Sequence, residues 1–227
     1  MTEPILIVGA TGLVGKLLIQ QLMASEAREQ LHILVRSIPD QGYDSAKIHF
    51  YPNHEWPHII KYIRPYSLVS CLGSTIKKAG SERAFVKIDR DLVTTFARAA
   101  KTSGTKHFLT VSSVMANVDA SNLYLRTKGE IEELLQGAHF TRLDIIRPGL
   151  LLGERDEFRF GESLASFISP LTDFLLRGSF NKFRSIEAKV VAKALAELLR
   201  NNTEGVFVHE NRAICTLAQN WDQAQNH

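Results

Sequence analysis

A glycine-rich turn near the N-terminus constrains the fold of this chain more than any other feature. The turn, Gly9-Ala10-Thr11-Gly12-Leu13-Val14-Gly15, follows the short apolar run Pro4 to Val8, which is typical of a buried parallel strand. Apolar residues at helical spacing come next, so the glycines join a strand to a helix. In that context the backbone can approach a pyrophosphate, which the N-terminus of the helix attracts. The alternative is a tight turn without a ligand.

The rest of the chain alternates apolar runs with helical patterns. This alternation predicts an α/β fold of the Rossmann type, a doubly wound parallel sheet with helices on both faces. The length of 227 residues fits one domain, 1–227, in which 150–183 is the least regular part and is expected to form a small substrate-side segment. The polar residues after Leu217 are expected to fray. The predicted strands after the first are Leu31 to Val35, Ile48 to Tyr51, Tyr66 to Leu72, His107 to Val111, Thr141 to Arg147 and Val206 to His209, and the longer helices are Gly12 to Ala24, Ser81 to Lys101, Asn122 to Gln136 and Glu187 to Arg200.

Composition excludes several classes of protein. The net charge of +3 does not indicate a nucleic-acid partner, and no apolar stretch approaches the ~20 residues of a membrane span. Cys71 and Cys215 lie far apart and are expected to be reduced thiols. Glu3 and the glycine-interrupted apolar run do not resemble a secretory signal. We therefore expect a cytoplasmic protein that binds neither nucleic acid nor membranes.

The end of the second strand indicates the cofactor. Sites that prefer NAD usually place an acidic residue there to bind the ribose 2′-hydroxyl. This chain has Arg36 at that position, about 20 residues after the last glycine. A guanidinium suits a 2′-phosphate, so we predict NADP(H). The alternative is a solvated surface arginine.

A tyrosine and a lysine four residues apart are candidates for catalysis. Tyr124 and Lys128 would share one face of a helix, and a nearby ammonium favours the phenolate and lowers the pKa of a tyrosine. They follow a strand that ends in Ser112-Ser113, where a hydroxyl can hydrogen-bond a substrate carbonyl. The alternative is that Tyr124 packs and Lys128 is solvated.

Two further patterns receive structural interpretations. The stretch from His54 to His58 spells a zinc-protease motif, but Pro57 would break the helix that the motif needs, so no metal is expected. A basic cluster is formed by Lys77, Lys78 and Arg83. It is either a solvated loop or a site that attracts a phosphate-bearing substrate.

The chain resembles the short-chain dehydrogenase/reductase superfamily in its atypical branch, and is most similar to the Tat-interactive protein-like oxidoreductases. The similarity covers nearly the whole chain. The segments that carry it are the Gly9–Gly15 turn, Ser70-Cys71-Leu72-Gly73-Ser74-Thr75, Phe85-Val86-Lys87-Ile88-Asp89-Arg90-Asp91, Tyr124-Leu125-Arg126-Thr127-Lys128-Gly129-Glu130, Arg147-Pro148-Gly149-Leu150-Leu151-Leu152 and Glu210-Asn211-Arg212-Ala213-Ile214.

The resemblance implies roles for individual residues. Tyr124 would be the acid–base and Lys128 would contact the ribose. Ser113 would be the active serine rather than Ser112, because the family usually uses the second of the pair. Leu72 and Gly73 would line the adenosine side of the cofactor, and Pro148 the nicotinamide side.

Two departures from the family pattern accompany these roles. Asp89 stands where many relatives have an asparagine that supports a proton relay, and Tyr51-Pro52-Asn53 lacks an acid that often contacts adenine. The resemblance implies an NADP(H)-dependent oxidoreductase acting on a small carbonyl or alcohol that the sequence does not identify. The alternative is a cofactor-binding regulator with little or no turnover and a protein partner. The oligomeric state stays open.

Overall fold

The computed structural model describes residues 3–25, 30–36, 48–52, 56–153 and 184–226. Seven strands form one parallel sheet, and two further strands pair only with each other. The strands are β1 Ile5–Val8, β2 Leu31–Val35, β3 Ile48–Pro52, β4 Ser67–Ser70, β5 His107–Val111, β6 Arg142–Arg147, β7 Leu151–Leu152, β8 Ile186–Glu187 and β9 Gly205–Glu210. The sheet order is β3-β2-β1-β4-β5-β6-β9, and this confirms the predicted Rossmann-type fold.

Helices cover both faces of the sheet. They are α1 Leu13–Ala24, α2 Trp56–Ile63, α3 Ile76–Ala79, α4 Glu82–Val86, α5 Val93–Thr102, α6 Leu123–Gln136, α7 Ala188–Leu198 and α8 Asn211–Gln225, with a π-helical turn, Lys87–Leu92, between α4 and α5. One apolar cluster joins the sheet to α1, α7 and α8, and the other joins it to α2, α5 and α6. Ile5 and Ile7 enter the first cluster while Leu6 and Val8 enter the second, which explains the unbroken apolar run of β1.

The strand order creates a crevice at the carboxyl end of the sheet. From β1 the chain proceeds to β2 on one side, and later returns to β4 on the other side. Ligands of open α/β sheets bind outside the strands at this reversal. The glycine turn after β1 and the loop after β4 therefore lie side by side.

The C-terminal tail differs from the prediction that it frays. It forms α8, in which Ile214, Ala218 and Trp221 are buried at helical spacing. The indole Nε1 of Trp221 donates to Oε1 of Gln21 on α1 at 3.2 Å. These apolar residues are sparse among polar neighbours, so composition alone misses the helix. In the predicted substrate-side segment, residues 154–183 lie outside the described residues.

Within the described ranges, no helix combines the length and apolar character that a membrane crossing requires.

Candidate functional site

The glycine turn brings the backbone of β1 against the loop after β4. Gly9 has φ +78°, and a Cβ there would lie 2.5 Å from the carbonyl carbon of Cys71. A Cβ on Gly15 would lie 2.4 Å from the carbonyl oxygen of Gly9. The amide of Gly12 donates to the carbonyl of Gly9 at 3.0 Å and closes the turn. Glycine at positions 9 and 15 is thus required by close packing.

A cavity of about 440 Å³ lies beside this turn. No side chain caps α1 at Gly12, so the N–H groups of its first turn are available to an anion. Trp56, the first residue of α2, lies in the cavity wall after β3, where the sequence lacks an acid. The predicted cofactor residues that line the cavity are Gly9, Thr11, Gly12, Arg36, Leu72 and Gly73, and Lys78, Ile88 and Leu92 join them. This shape and these donors fit the adenosine diphosphate half of a dinucleotide.

A second, narrow cavity of about 20 Å³ adjoins the first and shares Cys71, Leu72, Gly73 and Ser74 with it. Its walls also hold the predicted Val14, Tyr124, Lys128 and Pro148, together with Ser112, Gly149 and Leu151. The structure thus brings the predicted tyrosine–lysine pair next to the glycine turn. Of the remaining predicted cofactor residues, Leu13 packs against the backbone at Gly153, and Gly15 packs within the turn.

Helix α6 positions the tyrosine and the lysine. Oδ1 of Asn122 accepts from the amide of Leu125 and caps the helix. A Cβ on Gly129 would lie 2.4 Å from the carbonyl carbon of Asn117, so glycine lets α6 approach the loop after β5. Nζ of Lys128 lies 5.9 Å from the ring centroid of Tyr124. The two side chains therefore share one face of α6 and interact directly.

Lys128 is paired with a buried aspartate that sequence reasoning did not place in the site. Asp89 is fully buried, and its Oδ1 lies 3.0 Å from Nζ of Lys128. Its Oδ2 accepts from the amide of Ser74 at 2.8 Å. Asp89 belongs to the π-helical turn, and such turns are frequent at functional sites. The sequence shows that Asp89 stands where many relatives have an asparagine, but it does not reveal that Lys128 is its partner.

The two serines after β5 have different partners. The hydroxyl of Ser112 donates to the buried carboxylate of Glu132, which also accepts from Arg147. The hydrogen bonding of Arg147 to Glu132 raises the pKa of Arg147. The hydroxyl of Ser113 donates to the carbonyl of Val114 at 3.1 Å, and Ser113 does not line either cavity. The structure places Ser112, and not the predicted Ser113, in the wall beside Tyr124.

The turn after β6 is tied to the C-terminal helix. Oδ1 of Asn211 accepts from the amide of Gly149 at 2.9 Å, and its Nδ2 donates to the carbonyl of Arg184 at 2.7 Å. A Cβ on Gly149 would lie 2.1 Å from that carbonyl. Asn211 therefore fixes the wall that contains Pro148.

A further buried charge cluster has side chains that line neither cavity. Asp144 pairs with His107 and Arg142, and His209 lies 2.6 Å from its Oδ1. Burial alone would raise the pKa of Asp144, but the hydrogen bonds from these three partners outweigh it and lower the pKa. The cluster joins β5, β6 and β9 and is a structural feature of the sheet.

Comparison with known proteins places this site in a family. The chain is 31% identical over 225 residues to Protein HTATIP2 of Rattus norvegicus, covering 97% of this chain and 91% of that protein. It is 38% identical over 172 residues to Protein FMP52-2, mitochondrial, of Scheffersomyces stipitis, covering 73% of this chain and 74% of the relative. No protein-family model matches the chain.

A solved structure supports the fold. The enzyme WbmH of Bordetella bronchiseptica, determined in complex with NAD⁺, superposes with a TM-score of 0.67 at 14% identity. The match covers 96% of this chain and 80% of WbmH. At this identity the likeness concerns the fold.

The prediction of a cytoplasmic protein is wrong. The relative from Scheffersomyces stipitis is named as mitochondrial, and so are those from Candida albicans and Emericella nidulans. The expectation rested on a secretory signal and on cysteine spacing, and neither feature distinguishes a cytosolic protein from a mitochondrial one.

The relatives and the fold agree with the resemblance carried by the sequence motifs. The chain belongs to the atypical short-chain dehydrogenase/reductases, in the group that contains HTATIP2 and FMP52, and has the fold of the NAD(P)-dependent oxidoreductases of that superfamily.

Proposed function

We propose that this protein is an NADP(H)-dependent oxidoreductase that acts on a small carbonyl or alcohol. The observation that carries the proposal is the meeting of the glycine turn with the Tyr124–Lys128 pair through two adjoining cavities. A dinucleotide that extends from Arg36 toward Tyr124 would place its reactive end beside a phenol. A phenol positioned there can transfer a proton to or from a reacting group.

The choice of NADP(H) rests on charge. Arg36 and Lys78 both line the larger cavity, and both are exposed at its rim. Two cations suit the 2′-phosphate of NADP(H), and a guanidinium can bind it through two parallel hydrogen bonds. The solved neighbour WbmH contains NAD⁺, so the cofactor proposed for this chain differs from the one bound to that protein.

The chemistry of reduction follows from the residues around the smaller cavity. The bound cofactor supplies the hydride that the carbonyl carbon accepts. Tyr124 donates its hydroxyl proton to the carbonyl oxygen, and hydride and proton together give the alcohol. Lys128 holds the ribose and orients Tyr124, while Ser113 donates a hydrogen bond to the substrate oxygen.

Ser113 is the proposed substrate donor because the hydroxyl of Ser112 already donates to Glu132. The hydroxyl of Ser112 donates to the buried Glu132, and a substrate would have to break that charge-assisted bond. The hydroxyl of Ser113 donates to the neutral carbonyl of the next residue, which is a weaker hydrogen bond than one to a carboxylate.

The variant Tyr124→Phe tests the proposal. Turnover with NADPH across a panel of aldehydes and ketones should fall by ~10²–10⁴, the usual worth of general acid catalysis, with NADPH affinity unchanged. Tyr62→Phe is the matched control, because Tyr62 is 83% exposed. Ser113→Ala should lower turnover more than Ser112→Ala does. Wild-type turnover in Tyr124→Phe would contradict the catalytic assignment.

The alternative is a regulator that binds NADPH and has little or no turnover. If the wild type binds NADPH and turns over nothing in the panel, this second function replaces the first. A protein partner would then respond to the occupied cofactor site.

A further inference from the structure

We propose that Asp89 offsets the charge of Lys128 so that Tyr124 stays protonated and acts as a proton donor at neutral pH. This inference rests on the proposed oxidoreductase function. Asp89 does not line either cavity, so it is a positioning residue that acts through Lys128.

The first step is that the pair is a buried ion pair. Asp89 is fully buried and Lys128 is 4% exposed, with 3.0 Å between Oδ1 and Nζ. Taking an ammonium out of water is costly unless a counter-charge lies beside it. Asp89 therefore offsets the charge of Lys128 at this place. The amide of Ser74 fixes the carboxylate from the other side.

The second step concerns what Tyr124 experiences. An isolated ammonium 5.9 Å from the ring would favour the phenolate and make Tyr124 a base, as oxidation of an alcohol requires. With Asp89 in contact with the ammonium, the pair is close to neutral overall. Tyr124 then keeps its proton, as reduction of a carbonyl requires.

The third step concerns the other described charges near Tyr124. Glu132 of α6 pairs with Arg147 of β6, and Arg90 of the π turn pairs with Glu130 of α6. Arg126 of α6 donates to the carbonyls of Ala120 and Ser121. The ring of Tyr124 packs near the apolar ring of Phe85 of α4, with centroids 5.8 Å apart. Asp89 is the carboxylate in contact with Lys128, so its removal takes a negative charge away from the cation beside the tyrosine.

The test follows the phenol directly. The protein is labelled with ¹³Cζ-tyrosine and titrated by NMR, and the Tyr124→Phe variant assigns the signal. In Asp89→Asn the amide oxygen can still accept from Ser74, but the negative charge is gone. We expect the pKa of Tyr124 to fall by about one unit or more in this variant. Asp91→Asn, at an exposed position two residues later, should leave it unchanged. An equal or higher pKa in Asp89→Asn overturns the proposal.

A double-mutant cycle identifies the route of the effect. In a Lys128→Met background the substitution Asp89→Asn should no longer lower the pKa of Tyr124, because the cation is absent. If Asp89→Asn does not fold, the wild type decides. A wild-type Tyr124 pKa one unit or more below the ordinary value of about 10 would show an uncompensated ammonium and overturn the proposal.

Activity gives an independent readout. The rate of carbonyl reduction in Asp89→Asn should decline at a lower pH than in the wild type, because Tyr124 loses its proton at a lower pH. The NMR titration needs no turnover. If the protein has no activity but the pKa of Tyr124 still falls in Asp89→Asn, the proposed function is wrong and the electrostatic coupling stands.

Discussion

The guanidinium of Arg147 pairs with the buried carboxylate of Glu132, with its Nε 3.0 Å from Oε1. Glu132 lies one helical turn after Lys128, and its carboxylate also accepts from Ser112. This one side chain therefore joins α6 to the ends of β5 and β6, beneath the proposed active site.

Replacing Glu132 should destabilise the fold. Glu132→Ala leaves Arg147 without its counter-charge and Ser112 without its acceptor, and breaking a buried pair from one side costs about 3 kcal/mol or more. Urea unfolding measures the change in free energy. Glu133→Ala, at the exposed neighbouring position, should lie within about 0.5 kcal/mol of the wild type. Equal stability of the two variants would show that the pair is not needed.

Arg36 and Lys78 should set the preference for NADPH. The loss of one charge-assisted contact to a 2′-phosphate costs roughly 1.5–3 kcal/mol, or about ten- to a hundredfold in affinity. Arg36→Ala and Lys78→Ala should each weaken NADPH binding and leave NADH binding nearly unchanged. Lys77→Ala is the control, because Lys77 is exposed and does not line the cavity.

Tryptophan emission reports this binding. Trp56 lines the cavity, while Trp221, the other tryptophan, is buried beside Gln21. Equal wild-type affinities for NADPH and NADH would contradict the assignment, and so would an Arg36→Ala variant that keeps the preference.

His32 should make the fold less stable in mild acid. Burial, and to a smaller extent the neighbouring His49, lower the pKa of His32 from 6.5 to about 4. Because the unfolded chain binds the proton more readily, the stabilisation is complete above about pH 6.5 and is lost as the pH falls toward 4. Nδ1 of His32 lies 3.0 Å from the hydroxyl of Tyr51.

The variant His32→Phe removes this titration. The free energy of unfolding should fall less between pH 7 and pH 5 in this variant than in the wild type, whatever its stability at pH 7. His58→Gln, at an exposed position, should keep the wild-type slope. A slope in His32→Phe that matches the wild type would assign the acid sensitivity to other groups.

The sequence predicts the parts of the site that are local. The glycine turn occupies seven consecutive residues and the Tyr124–Lys128 pair one turn of α6, so periodicity and spacing are sufficient to find them. Contacts between distant elements are not accessible in this way. The pairing of Asp89 with Lys128 depends on how the π turn lies against α6, and Trp56 reaches the cofactor cavity from the start of α2.

The active serine shows the same limit. Residues 112 and 113 are adjacent and chemically identical, so the sequence distinguishes them only by resemblance. Their different partners, Glu132 and the carbonyl of Val114, arise from the direction in which each side chain leaves the strand end. Ser113 as the substrate donor therefore stays a prediction.

The bridge made by Asn211 has a consequence for biosynthesis. Asn211 lies 62 positions after Gly149 in the chain. Strand β9, which pairs with the outer edge of β6, ends just before Asn211. A nascent chain therefore exposes the glycine turn long before the wall around Pro148 can close. Contacts of such long sequence separation form slowly, since loop closure must precede them. A chain interrupted before Asn211 would carry a complete glycine turn and an unfinished wall around Pro148, so closure of the proposed site must wait until Asn211 has been translated.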